Sequence, residues 1–245
     1  MHKLQKSLNK KERSEIFRLF LEHNKLKFNE IEKSLKKSLK IQSNMVSYHL
    51  TSMIKDGLLI KKGEYYLLTE HAEKYIPLFS DIFGMDVSPL PIILVAVVHK
   101  DNILLVKRNK RPYKNYWSMI GGKLLLHEDI KDAAIRLVKE KTGLDSKFSS
   151  LNNIMHERVE GSGIVKHSFI LLFVKVSVNN IGFKETRAGE LKWFNIKKLN
   201  KQLELEKTIP SDYWLIIHSL NKKIIIPRLY MHENEGIIES HTFLE

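Results

Sequence analysis

The chain is predicted to be an α+β protein in two parts, and three observations carry that prediction. Helix-period apolar patterning dominates the first third of the sequence. Later segments are short, β-branched apolar runs separated by turns and grouped around one amphipathic helix. Between these regions "FGMDVSPLP" holds two prolines and a glycine without periodicity, the composition of a linker. At 245 residues the chain is longer than one small core needs. The domain plan is therefore residues 1–84, a linker at 85–91, a larger domain at 92–220 and a β extension at 221–245.

Bulk composition narrows the chemistry. There is no cysteine, so disulfides, thiolate zinc sites and cysteine nucleophiles are excluded. No apolar run approaches the roughly 20 residues that span a bilayer, and the polar, basic start "MHKLQKSLNKKERSE" lacks the apolar stretch of a signal peptide. A cytoplasmic protein without a membrane partner is the expectation. The net charge is +13. The first 80 residues hold 16 Lys+Arg against 9 Asp+Glu, a net of +7, so a third of the chain carries about half the excess. Such a segment suits a polyanion, although solvated lysines give the same sum.

The first helix is expected over Lys11 to Asn24, burying Ile16, Phe17, Leu19, Phe20 and Leu21. A second follows from "KFNEIEKSLKKSL", with Asn29 as cap, Glu32 closing a capping box and Phe28 as a staple. The third, in "NMVSYHLTSMIKDGLL", places Val46, Leu50, Met53 and Ile54 on one face. Asn44, Ser47, Tyr48, Thr51, Ser52 and Lys55 lie on the other. Hydroxyl, amide and aromatic groups on an exposed face suit hydrogen bonding to base edges and phosphates. "LLIKKGEYYLLT" then reads as a hairpin, with Lys61, Lys62 and Gly63 at its turn.

The stretch "VSYHLTSMIKDGLLIKKGEYYLLTEHAEKY" resembles a winged helix-turn-helix domain, a likeness covering roughly residues 8–84. It implies double-stranded DNA as partner, the helix from Ser43 to Asp56 as the reader, and lysines 61 and 62 on phosphates. It also implies a homodimer. A protein-interaction module without DNA contact is the other open reading.

In the larger region "IILVAVVHKDNILLVKR" reads as two strands joined at His99–Asn102, and "YWSMIGGKLLLHE" as a strand, a double-glycine turn and a loop. "DIKDAAIRLVKEKTG" is a helix with Ile130, Ala133, Ala134, Leu137 and Val138 inward and Gly143 at its end. "HSFILLFVKVSV" is a buried strand, and "AGELKWFNIKKL" is another running towards a helix. Gly122, Glu128, Arg136, Val138, Glu140, Gly143 and Leu144 fall on the fixed grid of the Nudix box, and Trp117 and Gly121 precede it as in family members. The region from about Pro91 to Leu220 thus resembles the Nudix fold, which implies an α/β/α sandwich with a mixed sheet.

The departures bear on chemistry. Leu137 and Lys141 stand where the family pattern has glutamates, and Ile120 replaces a proline. In the family, carboxylates at the positions of 137, 140 and 141 share a helix face and hold Mg²⁺, which neutralises a diphosphate and positions water. Only Glu140 remains of those three, with Glu128 in the loop as a second weak metal ligand. Lys141 offers instead a fixed positive charge for a phosphate. The resemblance implies that Arg136 braces the loop near Glu128. Arg108, Arg111 and Tyr113 in "VKRNKRPYKNYW", together with Gly121, Gly122, Arg136 and Lys141, make up the expected ligand contacts. Glu190 matches an acidic residue on a late loop of the family, so an active enzyme would use Glu128, Glu140 and Glu190 with Mg²⁺. His99, His127, His156 and His167 show no metal-like pairing. The tail around "HENEG" reads as two β segments, an added hairpin at a dimer interface.

Three functions follow from this sequence. The leading one is a DNA-binding regulator whose degenerate Nudix domain senses a nucleoside diphosphate-type molecule, similar to Nudix-related transcription regulators but with reversed domain order. The second is a Nudix hydrolase with an accessory winged helix. The third is an interaction protein that binds neither ligand nor DNA strongly.

Overall fold

A computed structural model describes residue 8 and residues 10–76, 88–184, 189–199, 207–234 and 237–244. The chain divides into two compact units, residues 1–87 with 227–245, and residues 88–226. Most of the expected linker at 85–91 lies outside the described residues.

In the first unit, helices α1 (Lys11–Leu19), α2 (Phe28–Leu39) and α3 (Ser43–Lys55) pack around Ile16, Phe17, Ile31, Leu35, Val46 and Leu50. A three-stranded antiparallel sheet joins them, ordered β1 (Leu26–Lys27), β3 (Tyr65–Leu68), β2 (Leu59–Lys62). The short α4 (Glu70–Glu73) follows, its Thr69 hydroxyl accepting from the Ala72 amide.

Several local expectations need correction. Helix α1 ends at Leu19, not Asn24, and Leu21 is exposed. The cap of α2 is two residues earlier than Asn29, because Glu30 reaches back to accept from the Lys27 amide at 2.6 Å. Glu32 instead pairs with Lys36 at 2.8 Å and accepts from the Ser43 hydroxyl. On α3 the buried face takes His49, 2% exposed, and leaves Ile54 at 38%. A one-residue rotation of the stripe explains both, since 49, 50 and 53 share a face while 54 begins to leave it. Lys61 and Lys62 belong to strand β2, and the turn is Gly63-Glu64.

The second unit is built on a seven-stranded mixed sheet. Its main order is β10 (Gly189–Asn195), β5 (Asn102–Arg108), β4 (Leu90–His99), β9 (Ile164–Val178), β8 (Ser146–Gly161). Strand β6 (Trp117–Ser118) pairs with β5, and β7 (Ile120–Lys123) pairs with β4. The β4–β9 pair is parallel and the other pairs are antiparallel. Alternation along β4 sends Ile93, Val95 and Val97 to one face and Leu94, Ala96 and Val98 to the other. Helix α5 (Ile130–Thr142) covers the first face through Ala133, Ala134, Leu137 and Val138. Helix α6 (Pro210–Ser219) covers the second through Leu215 and Ile216. The strand is apolar on both sides because both sides are covered.

Helix α5 begins with the Asp129 side chain accepting from the Asp132 amide at 2.8 Å, and ends at Gly143 with φ +73°. The end of α6 is held from outside the helix. Buried Asn152 on β8 donates to the carbonyls of Leu220 at 2.8 Å and Lys222 at 2.7 Å. The C-terminal segments β11 (Arg228–Asn234) and β12 (Ile237–Leu244) pair as an antiparallel hairpin.

Candidate functional site

Where β7 meets α5, the chain forms a braced loop. Arg136 on α5 donates from Nε to Glu128 Oε2 at 2.7 Å and from Nη2 to Glu128 Oε1 at 2.5 Å. Its Nη2 also reaches the Lys123 carbonyl at 3.1 Å, and Nη1 reaches Glu140 at 3.2 Å. Glu128 folds back to accept from the Leu125 amide at 2.8 Å. The Arg136 guanidinium holds the Glu128 carboxyl below the usual carboxylate range. Both oxygens of Glu128 are therefore engaged in shaping the loop.

Leu137 is 3% exposed and packs on the double glycine. A Cβ at Gly122 would stand 2.3 Å from Leu137 Cδ2, so these two positions fill one space. One turn on, the Lys141 ammonium donates to the Gly121 carbonyl. Burial lowers its pKa first, with the nearby Arg108 and Arg136 charges adding to the effect and Glu140 opposing it.

Lys141 lines a pocket of about 250 Å³. Arg108, Tyr113, Gly121 and Gly122 line it too, so it gathers five of the seven expected ligand contacts. Arg136 faces the loop brace instead, and Arg111 is exposed outside the lining. Glu190 is exposed on β10, 3.9 Å from Lys107, and Glu140 is exposed on α5. Neither lines the pocket, nor does Glu128.

The pocket also contains residues that the sequence reading passed over. Asp212, near the start of α6, is 3% exposed and accepts from the Met119 amide at 2.7 Å. Burial pushes its carboxyl up to about 7, against the Met119 and Ser118 hydrogen bonds, and the Glu157 charge raises it further. Glu157 on β8 accepts from the Tyr113 hydroxyl at 2.8 Å and from the Ser211 hydroxyl. Burial and this bond raise the Tyr113 phenol well above its ordinary value. The local signal for Asp212 was an acid in the first turn of an apolar helix, which reads as helix capping. Its partners lie on distant strands.

The NUDIX domain model matches residues 89–215, about half of the chain. The chain belongs to the NUDIX family. It is 32% identical over 125 residues to the ADP-ribose pyrophosphatase of Methanocaldococcus jannaschii, an alignment covering 48% of this chain and 69% of that protein. Over 108 residues it is 30% identical to the human nucleoside diphosphate-linked moiety X motif 6, covering 44% of this chain and 33% of that one. Among solved structures, the MutT protein of Bacillus halodurans is 22% identical at TM-score 0.46, covering 63% of this chain and 97% of that one. The NUDIX domain of Shewanella oneidensis NrtR, complexed with ADP ribose, is 14% identical at TM-score 0.44, with 61% and 96% covered. At these values the likenesses in shape carry no argument about ligand or activity.

Within the Nudix frame, the residues present do not fit a divalent ion. Among the described residues no three His, Cys, Asp or Glu side chains converge to hold one. Glu128 is committed to Arg136, Leu137 is buried against Gly122, and the third position carries the Lys141 ammonium. One exposed carboxylate, Glu140, remains on the helix, fewer than the set of oxygens such an ion needs.

Proposed function

We propose that the Nudix domain binds a nucleoside diphosphate-type molecule without efficient hydrolysis, and that residues 1–84 form a winged helix-turn-helix that couples this binding to DNA. The observation that carries the reading is Lys141. It brings a half-buried ammonium into the pocket from a helix position where the family pattern has a metal-binding carboxylate. With Arg108 it makes a cationic wall built into the chain, which meets a diphosphate directly. The curated relative named for ADP-ribose hydrolysis supports a ligand with a diphosphate linked to a nucleoside and a sugar.

The DNA half rests on α3. Asn44, Ser47, Tyr48, Thr51 and Lys55 are exposed on one side of that helix, and Lys61 and Lys62 are exposed on β2. Ser52 is half-buried and accepts from Arg13 at 2.6 Å, which ties α1 to the same helix. A homodimer gives such a module two half-sites, and ligand binding would act by favouring one arrangement of the units.

A hydrolysis assay over nucleoside diphosphate derivatives, with Mg²⁺ and with Mn²⁺, tests the first half. No turnover is expected from the natural chain, and some is expected from Leu137→Glu, Lys141→Glu. Metal-dependent turnover by the natural chain, abolished by Glu140→Gln, would establish the hydrolase reading instead, which the pyrophosphatase relative favours. DNA binding that weakens steeply with added salt tests the second half, since phosphate contacts release counterions.

A further inference from the structure

The pocket is two-ended. Its cationic end comes from the α5 side, where Lys141 lies near Arg108. The opposite end belongs to the α6 side of the sheet. There Leu94, Leu171 and Phe169 form apolar walls, and these three pack with the core beneath α6. Two carboxyl groups stand among those walls, Asp212 and Glu157, close enough for the charge of one to disfavour ionisation of the other.

Neither carboxyl has a cation to neutralise it. Asp212 takes its bonds from a backbone amide and a serine hydroxyl, and Glu157 from the hydroxyls of Tyr113 and Ser211. Arg108 directs its Nε to the Pro112 carbonyl at 2.9 Å. Among the described residues no ion pair involves Asp212 or Glu157. Two acids beside apolar and aromatic surface repel phosphate from this end and attract positive charge. The rings of Tyr113 and Phe169 add a face for a cation.

We propose that the Asp212–Glu157 end of the pocket selects a positively charged nitrogen heterocycle, so that the ligand is a nucleotide with a cationic ring at one end and its phosphates at Lys141. The inference rests on the reading above that this pocket takes a nucleoside diphosphate-type molecule. It adds which ring is preferred and which residues choose it. A cation entering this end favours the ionised form of Asp212, so binding releases a proton.

The test is calorimetric binding to the full chain at pH 7 with two matched pairs. These are 7-methylguanosine diphosphate against guanosine diphosphate, and 1-methyladenosine diphosphate against adenosine diphosphate. Both methylated bases are cations, and the methyl groups sit at different ring positions, so charge is the shared variable. Each cationic member is expected to bind at least about tenfold tighter, about 1.4 kcal/mol. The heat should change with the buffer's ionisation enthalpy as the Asp212 proton leaves. In Asp212→Asn, which keeps an acceptor for the Met119 amide, and in Glu157→Gln, the preference should shrink to about twofold or less. Thermal unfolding followed by tryptophan fluorescence checks that both variants fold. Equal or tighter binding of the neutral members, or a preference that survives in both folded variants, would overturn the inference while leaving the nucleotide pocket standing. If none of the four ligands binds, the nucleotide reading fails and this inference fails with it.

Discussion

Replacing Asp212 by Asn should flatten the pH dependence of the second unit's stability. In the folded chain the Asp212 carboxyl is pushed up to about 7, whereas its ordinary value is 3.8. Between those values the folded state holds a proton that the unfolded state has released, so stability falls as pH rises. At about 1.4 kcal/mol per unit, the loss from Asp212 approaches roughly 4 kcal/mol by pH 8. Asparagine cannot ionise, yet its amide oxygen can still accept from the Met119 amide. The variant should therefore match the natural chain near pH 4 and gain on it steadily up to pH 8. Urea unfolding at a series of pH values measures this. The three tryptophans, Trp117, Trp193 and Trp214, all lie in residues 88–226, so their fluorescence reports on this unit. Parallel stability curves for the two proteins would refute the account of Asp212 as a buried acid that resists ionisation.

Three further outcomes are expected. Asn152→Ala removes the donor that closes α6 and should cost about 1–3 kcal/mol in the same denaturation experiment. Gly189→Ala should be more damaging, because its φ is +139° and a Cβ there would lie 2.0 Å from the Lys107 carbonyl oxygen. A loss above about 3 kcal/mol is expected from strain and clash combined, read as a fall in the tryptophan-monitored midpoint. Arg136→Ala strands the Glu128 carboxylate, whose side chain is 7% exposed, and should cost about 2 kcal/mol at neutral pH. That cost should shrink as pH falls through the depressed Glu128 value, because a protonated Glu128 no longer needs the guanidinium.

The parts of the fold that were legible in the sequence are those set by neighbours along the chain. Helix α5 carries its start in Asp129, its stop in Gly143 and its buried face in Ala133, Ala134, Leu137 and Val138. The β4–β5 hairpin was equally plain from "IILVAVVHKDNILLVKR". What escaped depends on groups far apart in sequence. The expected strand at His167–Val178 begins earlier, at Ile164, because its partner β8 extends the pairing to Gly161. Along β8, Glu157 reads as one more polar residue in "MHERVEG", and only pairing with β9 turns it towards the pocket. Asp212 meets Met119 across 93 positions of chain, a contact no local pattern announces. The site was legible to the same degree: the cationic end grew from motif positions, and the acidic end from tertiary packing.

The packing of Leu137 on Gly122 has a consequence for how this chain can change. A side chain that once position for position belonged to chemistry is now part of the structural interior. Restoring a carboxylate there alone would set a charge in apolar surroundings, 20 positions of chain from nothing that could neutralise it except the Lys141 beside the same glycines. The double replacement must pass through an intermediate that is less stable than either end and gains no function on the way. Adaptation of this domain therefore runs more easily through the rim and the acidic end, where substitutions alter what is held without disturbing how the protein stands.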